Sequence, residues 1–333
     1  MVRSLALGAI ALGAVHSPLL AQNREMTCGT SLRYRSNFRL NGGQQYLAQA
    51  ERAQHPPDRQ RNIASGLRVL GEAVQAGGNI DQLTLWYLYG RLYGLQGDLR
   101  GADSAFTRAA TAAASDQECL REIARLRFNL AVPLLNAGVE QMRSENWDSA
   151  LTLLKAGVLI SPTSGIGYMN IASTYLRRDQ YDSAAAYYSL AARLITDPQQ
   201  EEMRANASFN AGRVYERAGR FAAAESAYRF LLTIRPRDTN ARVALAGVLR
   251  RQNRTAEATA LMDSLVANHE QLTSFELFEI GTGLFRDSAY ARAARALLAG
   301  LAKNPWYRDA HFNLTNVYLA AGDTARMLEA ARR

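Results

Sequence analysis

The residues able to do chemistry are few, and none of them forms a reacting set. The histidines beyond the N-terminal segment are His55, His269 and His311, far apart and without the His-Glu-x-x-His spacing that would aim two imidazoles at one zinc ion. Cys28 and Cys119 make no Cys-x-x-Cys, haem-attachment or zinc spacing. Gly281-Thr282-Gly283 has no strand before it and no Lys-Ser/Thr after it, so it is not a phosphate cradle. Ser164-Gly165 and Ser65-Gly66 lack the Gly-x-Ser-x-Gly frame that exposes a nucleophilic serine. Neither an enzyme nor a bound metal or cofactor is therefore expected. What recurs is amide and guanidinium. Asn136, Asn170, Asn210 and Asn313 each stand two residues before Gly138, Ala172, Gly212 and Thr315, and Arg177, Arg213, Arg217, Arg250 and Arg251 follow within a turn or two of such small residues. An Asn amide can donate to a carbonyl and accept from an N–H whatever the neighbouring side chain, and a guanidinium attracts carboxylates. That is the chemistry of holding a peptide rather than of converting a substrate.

Helices must position these side chains, because the chain repeats a helical pattern. In "WYLYGRLYGLQGDLRGADSAF", residues 86–106, the residues Gly90, Tyr93, Gly97, Ala102 and Phe106 set a register that returns as Ala172, Tyr175, Ala184 and Tyr188. It returns again as Gly212, Tyr215, Gly219, Ala224 and Tyr228, and in weaker form around Gly138, Ala246, Gly281 and Thr315. Measured at the small residue opening each second helix, the steps Ala150 to Ala184, Ala224 to Ala258 and Ala293 to Met327 are 34 residues, and Ala258 to Ala293 is 35. A lone helix pair cannot bury its apolar stripe, so an equal step means stacked units stabilised by their neighbours. Small residues let two antiparallel helices approach, and Tyr93, Tyr175 and Tyr215 are expected to fill the gap beside them.

On these residues the sequence resembles the tetratricopeptide repeat family, whose helix-turn-helix unit of about 34 residues carries Trp-x-x-Leu-Gly-x-x-Tyr, then Ala-x-x-x-Phe, then Pro. The resemblance implies an all-α, right-handed superhelical solenoid with about seven copies, near 83–115, 131–164, 165–198, 205–238, 239–272, 274–307 and 308–333. A degenerate pair, with helices near 44–54 and 59–75, is expected before them, giving one continuous domain over 44–333. The resemblance also implies that first helices line a concave groove and that the slot of Asn136, Asn170, Asn210 and Asn313 faces it. That arrangement resembles the asparagine ladder of O-linked N-acetylglucosamine transferases. The ladder is broken by Leu88, Ala244 and Glu279 at the same slot. Arg177, Arg213, Arg217 and Arg250 are expected to add positive potential along the groove, favouring an acidic segment or a free carboxylate, with solvated surface arginine as the plain alternative. The lysine-dependent carboxylate clamp of chaperone-binding members is not implied, since only Lys155 and Lys303 are lysines.

Two steps break the period. From Ala102 to Ala150 the step is 48 residues, which implies a lengthened first helix around 113–127 carrying Cys119, with Pro133 near a helix start or kink. From Ala184 to Ala224 it is 40, where "TDPQQEEM", residues 196–203, supplies a cap, a proline start and two acids suited to a first helical turn.

Composition bounds the remaining questions. With 48% hydrophobic and 21% charged residues over 333, the chain is expected to fold, and nearly all of its 39 basic residues are arginine, so the formal charge of +9 is weak evidence of a partner. Arg3, the apolar run 5–15 and Pro18-Leu19-Leu20-Ala21 read as a signal peptide over 1–21, followed by a polar tail at 22–43. Glu25-Met26-Thr27 before Cys28 does not suit lipid attachment. Export to a bacterial periplasm or medium follows, with no membrane span after cleavage, and export disfavours nucleic acid. It also leaves two readings of Cys28 and Cys119 open, a disulfide or two unpaired thiols. The expected function is a non-enzymatic scaffold or adaptor of the cell envelope that binds protein or peptide in its concave groove. The alternative is a self-associating assembly subunit of an envelope polysaccharide or secretion machine, a homo-oligomer formed through the C-terminal repeat at "ARMLEAARR".

Overall fold

The computed structural model describes residue 28 and residues 37–77, 80–267, 270 and 272–332; the expected signal peptide, most of the expected tail and His269 lie outside these. The described residues fall into two compact units, one ending at residue 178 and the other starting at residue 179. Among the described residues there is no strand.

The first unit contains α1 (Phe38–Arg52), α2 (Pro56–Ala76), α3 (Gln82–Gln96), α4 (Leu99–Ala113), α5 (Gln117–Arg143), α6 (Trp147–Ile160) and α7 (Gly165–Arg177). Helix α1 starts at Phe38 because Asn37 caps it, its side chain accepting from the N–H groups of Arg39 and Leu40. It therefore takes in six residues expected to be tail. The lengthened helix is α5, one unbroken 27-residue element begun by the Asp116 cap and carrying Pro133 on an exposed position inside it. Its added turns are buried on one side. Arg127 reaches two other helices from there, donating from Nε to Ile160 O of α6 at 2.7 Å and from Nη1 to Thr107 Oγ1 of α4 at 3.2 Å while pairing with Asp103 of α4.

The second unit contains α8 (Tyr181–Leu194), α9 (Glu201–Arg217), α10 (Phe221–Ile234), α11 (Thr239–Arg251), α12 (Thr255–Ala267), α13 (Ser274–Arg286), α14 (Tyr290–Lys303), α15 (Arg308–Ala320) and α16 (Thr324–Ala331). The second break in the period is a single 3-10 turn at Pro198–Gln200 leading into a four-residue-longer first helix, with Asp197 accepting from Gln199 N–H at 2.9 Å.

Two registers recur along the repeats. The glycines are close-contact points: a Cβ on Gly90 would lie 2.7 Å from the Phe106 ring, on Gly138 2.6 Å from Leu154, on Gly212 2.5 Å from Tyr228 and on Gly281 2.6 Å from Leu297. The residue filling the gap thus comes from the second helix, sixteen positions on. Tyr93, expected there, stacks on Tyr89 and packs one step along, 2.9 Å from where a Cβ on Gly101 of α4 would stand. The other register lies seven residues after the small residue, where each turn between paired helices from α3 onward has positive φ. Gly97, Gly219 and Gly322 occupy it, and so do Glu145, Asp179, Asn253 and Ser288 with φ between 56° and 62°.

Candidate functional site

The candidate face is built by the first helices of successive repeats, which adjoin one another inside each unit. In the first unit Arg91 of α3 pairs with Glu51 of α1, and Tyr87 of α3 donates to Glu122 Oε1 of α5 at 2.6 Å. The other carboxylate oxygen of Glu122 accepts the N–H of Cys28 at 2.9 Å. The Cys28 sulfur lies 2.10 Å from that of Cys119, with the Cα atoms 4.5 Å apart. Both cysteines are fully buried. Burial pushes the Tyr87 hydroxyl well above the usual tyrosine range, so it remains a donor to the carboxylate. The sequence reading weighed a disulfide here but missed its surroundings. Glu122 follows Cys119 by three residues, one helical turn along the same face.

The asparagine slot lies between first helices rather than open to solvent. Asn170 is only 1% exposed, and Leu88 at the same slot is fully buried. Asn136 is half-buried, with its Oδ1 enclosed and without a hydrogen-bond partner among the described residues. In the second unit Asn210 is half-buried, and Asn313 of α15 donates from Nδ2 to Thr282 Oγ1 of α13 at 3.0 Å. At Asn313 the amide bridges adjacent first helices and at Asn170 it is buried, so these two do not face outward as the ladder was expected to.

The arginines divide in the same way. Arg177 is exposed at the end of α7. Arg250 pairs with Asp287, the residue capping α13, so it ties two repeats together rather than facing outward. Burial lowers the Arg250 pKa and raises that of Asp287, and the attraction between them opposes both shifts. Arg217 lies 3.8 Å from Asp179, with its guanidinium over the Tyr181 ring. Arg213 is half-buried with no ion pair among the described residues, and it stands beside Glu216. Burial pushes the Glu216 carboxyl above the usual carboxylate range, opposed by the Tyr228 hydroxyl donating at 2.5 Å and by Arg213 and Arg251.

Sequence reasoning also missed exposed apolar residues in the second unit. Phe312 and Leu319, seven apart on α15, are 67% and 63% exposed, and Trp306 just before α15 is 91% exposed. Leu314 and Val317 take the buried side of that helix, so the amphipathic pattern was readable but the outer apolar pair broke it. Among the described residues no group of three His, Cys, Asp or Glu could hold a metal ion, and no helix is long and apolar enough to cross a membrane.

Comparison with known families gives matches to the Tetratricopeptide repeat at residues 83–116, 135–201 and 209–272. No curated protein matches the chain. Solved structures similar to it include MamA, at 21% identity over 57% of this chain and 93% of that one with a TM-score of 0.36. YrrB, described as a TPR protein with an unusual peptide-binding site, is 15% identical over 63% and 97% with a TM-score of 0.38. The C-terminal part of a TPR repeat-containing protein from Cytophaga hutchinsonii is 14% identical over 83% and 99% with a TM-score of 0.43. At these scores none of them bears on what this chain binds.

Proposed function

Because this chain is built of tetratricopeptide repeats, we propose that it is an exported, non-enzymatic scaffold that binds a protein or peptide across its first helices. The observation that carries the reading is the contrast between the two sides of the asparagine slot. The slot is closed at Asn313, which bonds Thr282 of the adjacent first helix, and at Asn170, which is buried, while arginines at the ends of the first helices α7, α9, α11 and α13 remain exposed. Exposed cationic ends on packed helices suit recognition rather than turnover. Replacing Asn210 and Arg213 together with alanine is expected to weaken partner capture from an envelope fraction while far-UV circular dichroism stays unchanged. Capture at the wild-type level would count against this face.

A second reading has its own support. Phe312, Leu319 and Trp306 expose large apolar surfaces in one region of the second unit, and such surfaces favour a partner of the same kind. On this reading two copies of the chain associate through α15. Sedimentation of the wild-type chain would then give a dimer, and the pair Phe312→Glu and Leu319→Glu would give a monomer. A wild-type monomer at high concentration would dismiss it.

A further inference from the structure

Five residues after each small residue of the second unit's first three complete repeats stands an arginine. Arg217 follows Gly212, Arg251 follows Ala246 and Arg286 follows Gly281, each in the last turn of its helix, α9, α11 or α13, and each exposed. The first unit repeats the register with Arg143 after Gly138 and Arg177 after Ala172, both exposed. A cation in the last turn complements the helix dipole, which explains an arginine somewhere in that turn. It does not explain the same position each time, because neighbouring positions in the turn would serve the dipole as well.

In the second unit the arginine-bearing helix ends lie side by side. Arg250 pairs with Asp287, which brings the end of α11 against the cap of α13, and Glu216 of α9 feels the charge of Arg251 on α11. The acids around the row are accounted for. Asp287 is held by Arg250, burial disfavours the ionised form of Glu216, Asp179 sits 3.8 Å from Arg217, and Glu279 lies seven residues before Arg286 on α13. Arg251 and Arg286 have no ion pair or hydrogen bond from their side chains among the described residues. Packed helices stand about 8–10 Å apart, and a polyproline-II segment has three residues per turn at about 3.1 Å each, so its same-face side chains recur about every 9 Å. Every third residue of such an extended segment therefore meets the next arginine.

Resting on the protein-binding reading above, we infer that Arg217, Arg251 and Arg286 form a register that grips an extended acidic segment of another protein, with a carboxylate at every third residue. Guanidinium suits this task, since its planar fork takes a carboxylate through two parallel N–H donors. The segment runs across the three helix ends in the polyproline-II form and needs only about seven residues to touch all three arginines. Its backbone and intervening side chains are left unspecified by the row.

The test is fluorescence anisotropy with two labelled peptides of equal composition, one with three glutamates at every third position among glycine and serine, the other with the glutamates contiguous. The mature wild-type chain is expected to bind the spaced peptide at least about tenfold more tightly, a difference near the strength of one charge-assisted hydrogen bond. Arg251→Gln with Arg286→Gln should remove that preference, with unchanged circular dichroism and melting. Added salt should weaken the spaced peptide more than the background binding. Equal affinity for the two peptides, or a preference that survives in the double variant, would overturn the register. If the double variant still captures its envelope partner at wild-type strength, the register fails while the scaffold reading stands; if the wild-type chain captures no partner and binds neither peptide, both fail.

Discussion

At the scale of single residues, the buried polar groups set two expectations. The bond between Cys28 and Cys119 closes a loop with a sequence separation of 91, and Glu122 receives the Cys28 N–H behind it. Replacing both cysteines with serine should destabilise the chain by about 4.5 kcal/mol on a chain-entropy account, read by urea unfolding against the wild type. Because both cysteines are buried, a dithiol reductant should leave the native chain bridged and act only once urea opens it. Glu216 gives the opposite kind of expectation. Its pKa is raised mainly by burial, so the folded state binds its proton more tightly than the unfolded state does. Stability from this group is therefore present below the unfolded pKa and lost as pH rises through the folded one. Glu216→Gln, which keeps an acceptor for Tyr228, should be more stable than wild type at pH 7, and the gain should shrink as pH falls through the carboxylate range. A gain independent of pH, in paired melts at pH 4 and pH 7, would remove burial as the cause. Neither environment was legible in the sequence. Spacing could place Glu122 beside Cys119, but only the fold brings Tyr87 from 35 residues away.

At the scale of the helix pair, the sequence was most legible where sterics leave little choice. Gly90, Gly138, Gly212 and Gly281 could be recognised as contact points because a side chain there would meet the second helix at under 3 Å. The direct contact of each of these glycines is Phe106, Leu154, Tyr228 or Leu297 across the turn, while Tyr93 packs beside it against Gly101. The sequence pointed to Tyr93 first, since a residue three positions along one helix looks nearer in sequence than one on the next helix. The turn itself went unread. Glu145, Asp179, Asn253 and Ser288 hide a left-handed position that Gly97, Gly219 and Gly322 announce. Glu145→Gly and Ser288→Gly should each raise stability by about 0.5–1 kcal/mol, relief of left-handed strain outweighing the extra freedom of glycine when unfolded. Asn253→Gly should gain less, because asparagine tolerates this conformation. Melting temperatures of the three single variants would order them; a loss in the Glu145 and Ser288 variants would contradict strain at these turns. The asparagine slot was misread for a related reason. Period alone assigns residues to equivalent positions, and whether a position faces solvent or the adjacent first helix depends on how closely repeats stack, as Asn170 and Asn313 show.

At the scale of the whole molecule, periodicity gave the all-helical repeat architecture, and the family matches at 83–116, 135–201 and 209–272 agree with it. The division into units 1–178 and 179–333 left no mark on the period, because the 34-residue step continues from Ala150 to Ala184 across it. The functional claim is that first helices recognise a protein while second helices support them. Site-specific photo-cross-linking tests it most directly, with a photoreactive residue placed at Arg251 or Phe312 on first helices and at Leu298, exposed on second helix α14. In an envelope fraction the account predicts a discrete adduct from the first-helix positions and none from Leu298; equal adducts from all three, or an adduct from Leu298 alone, would contradict it.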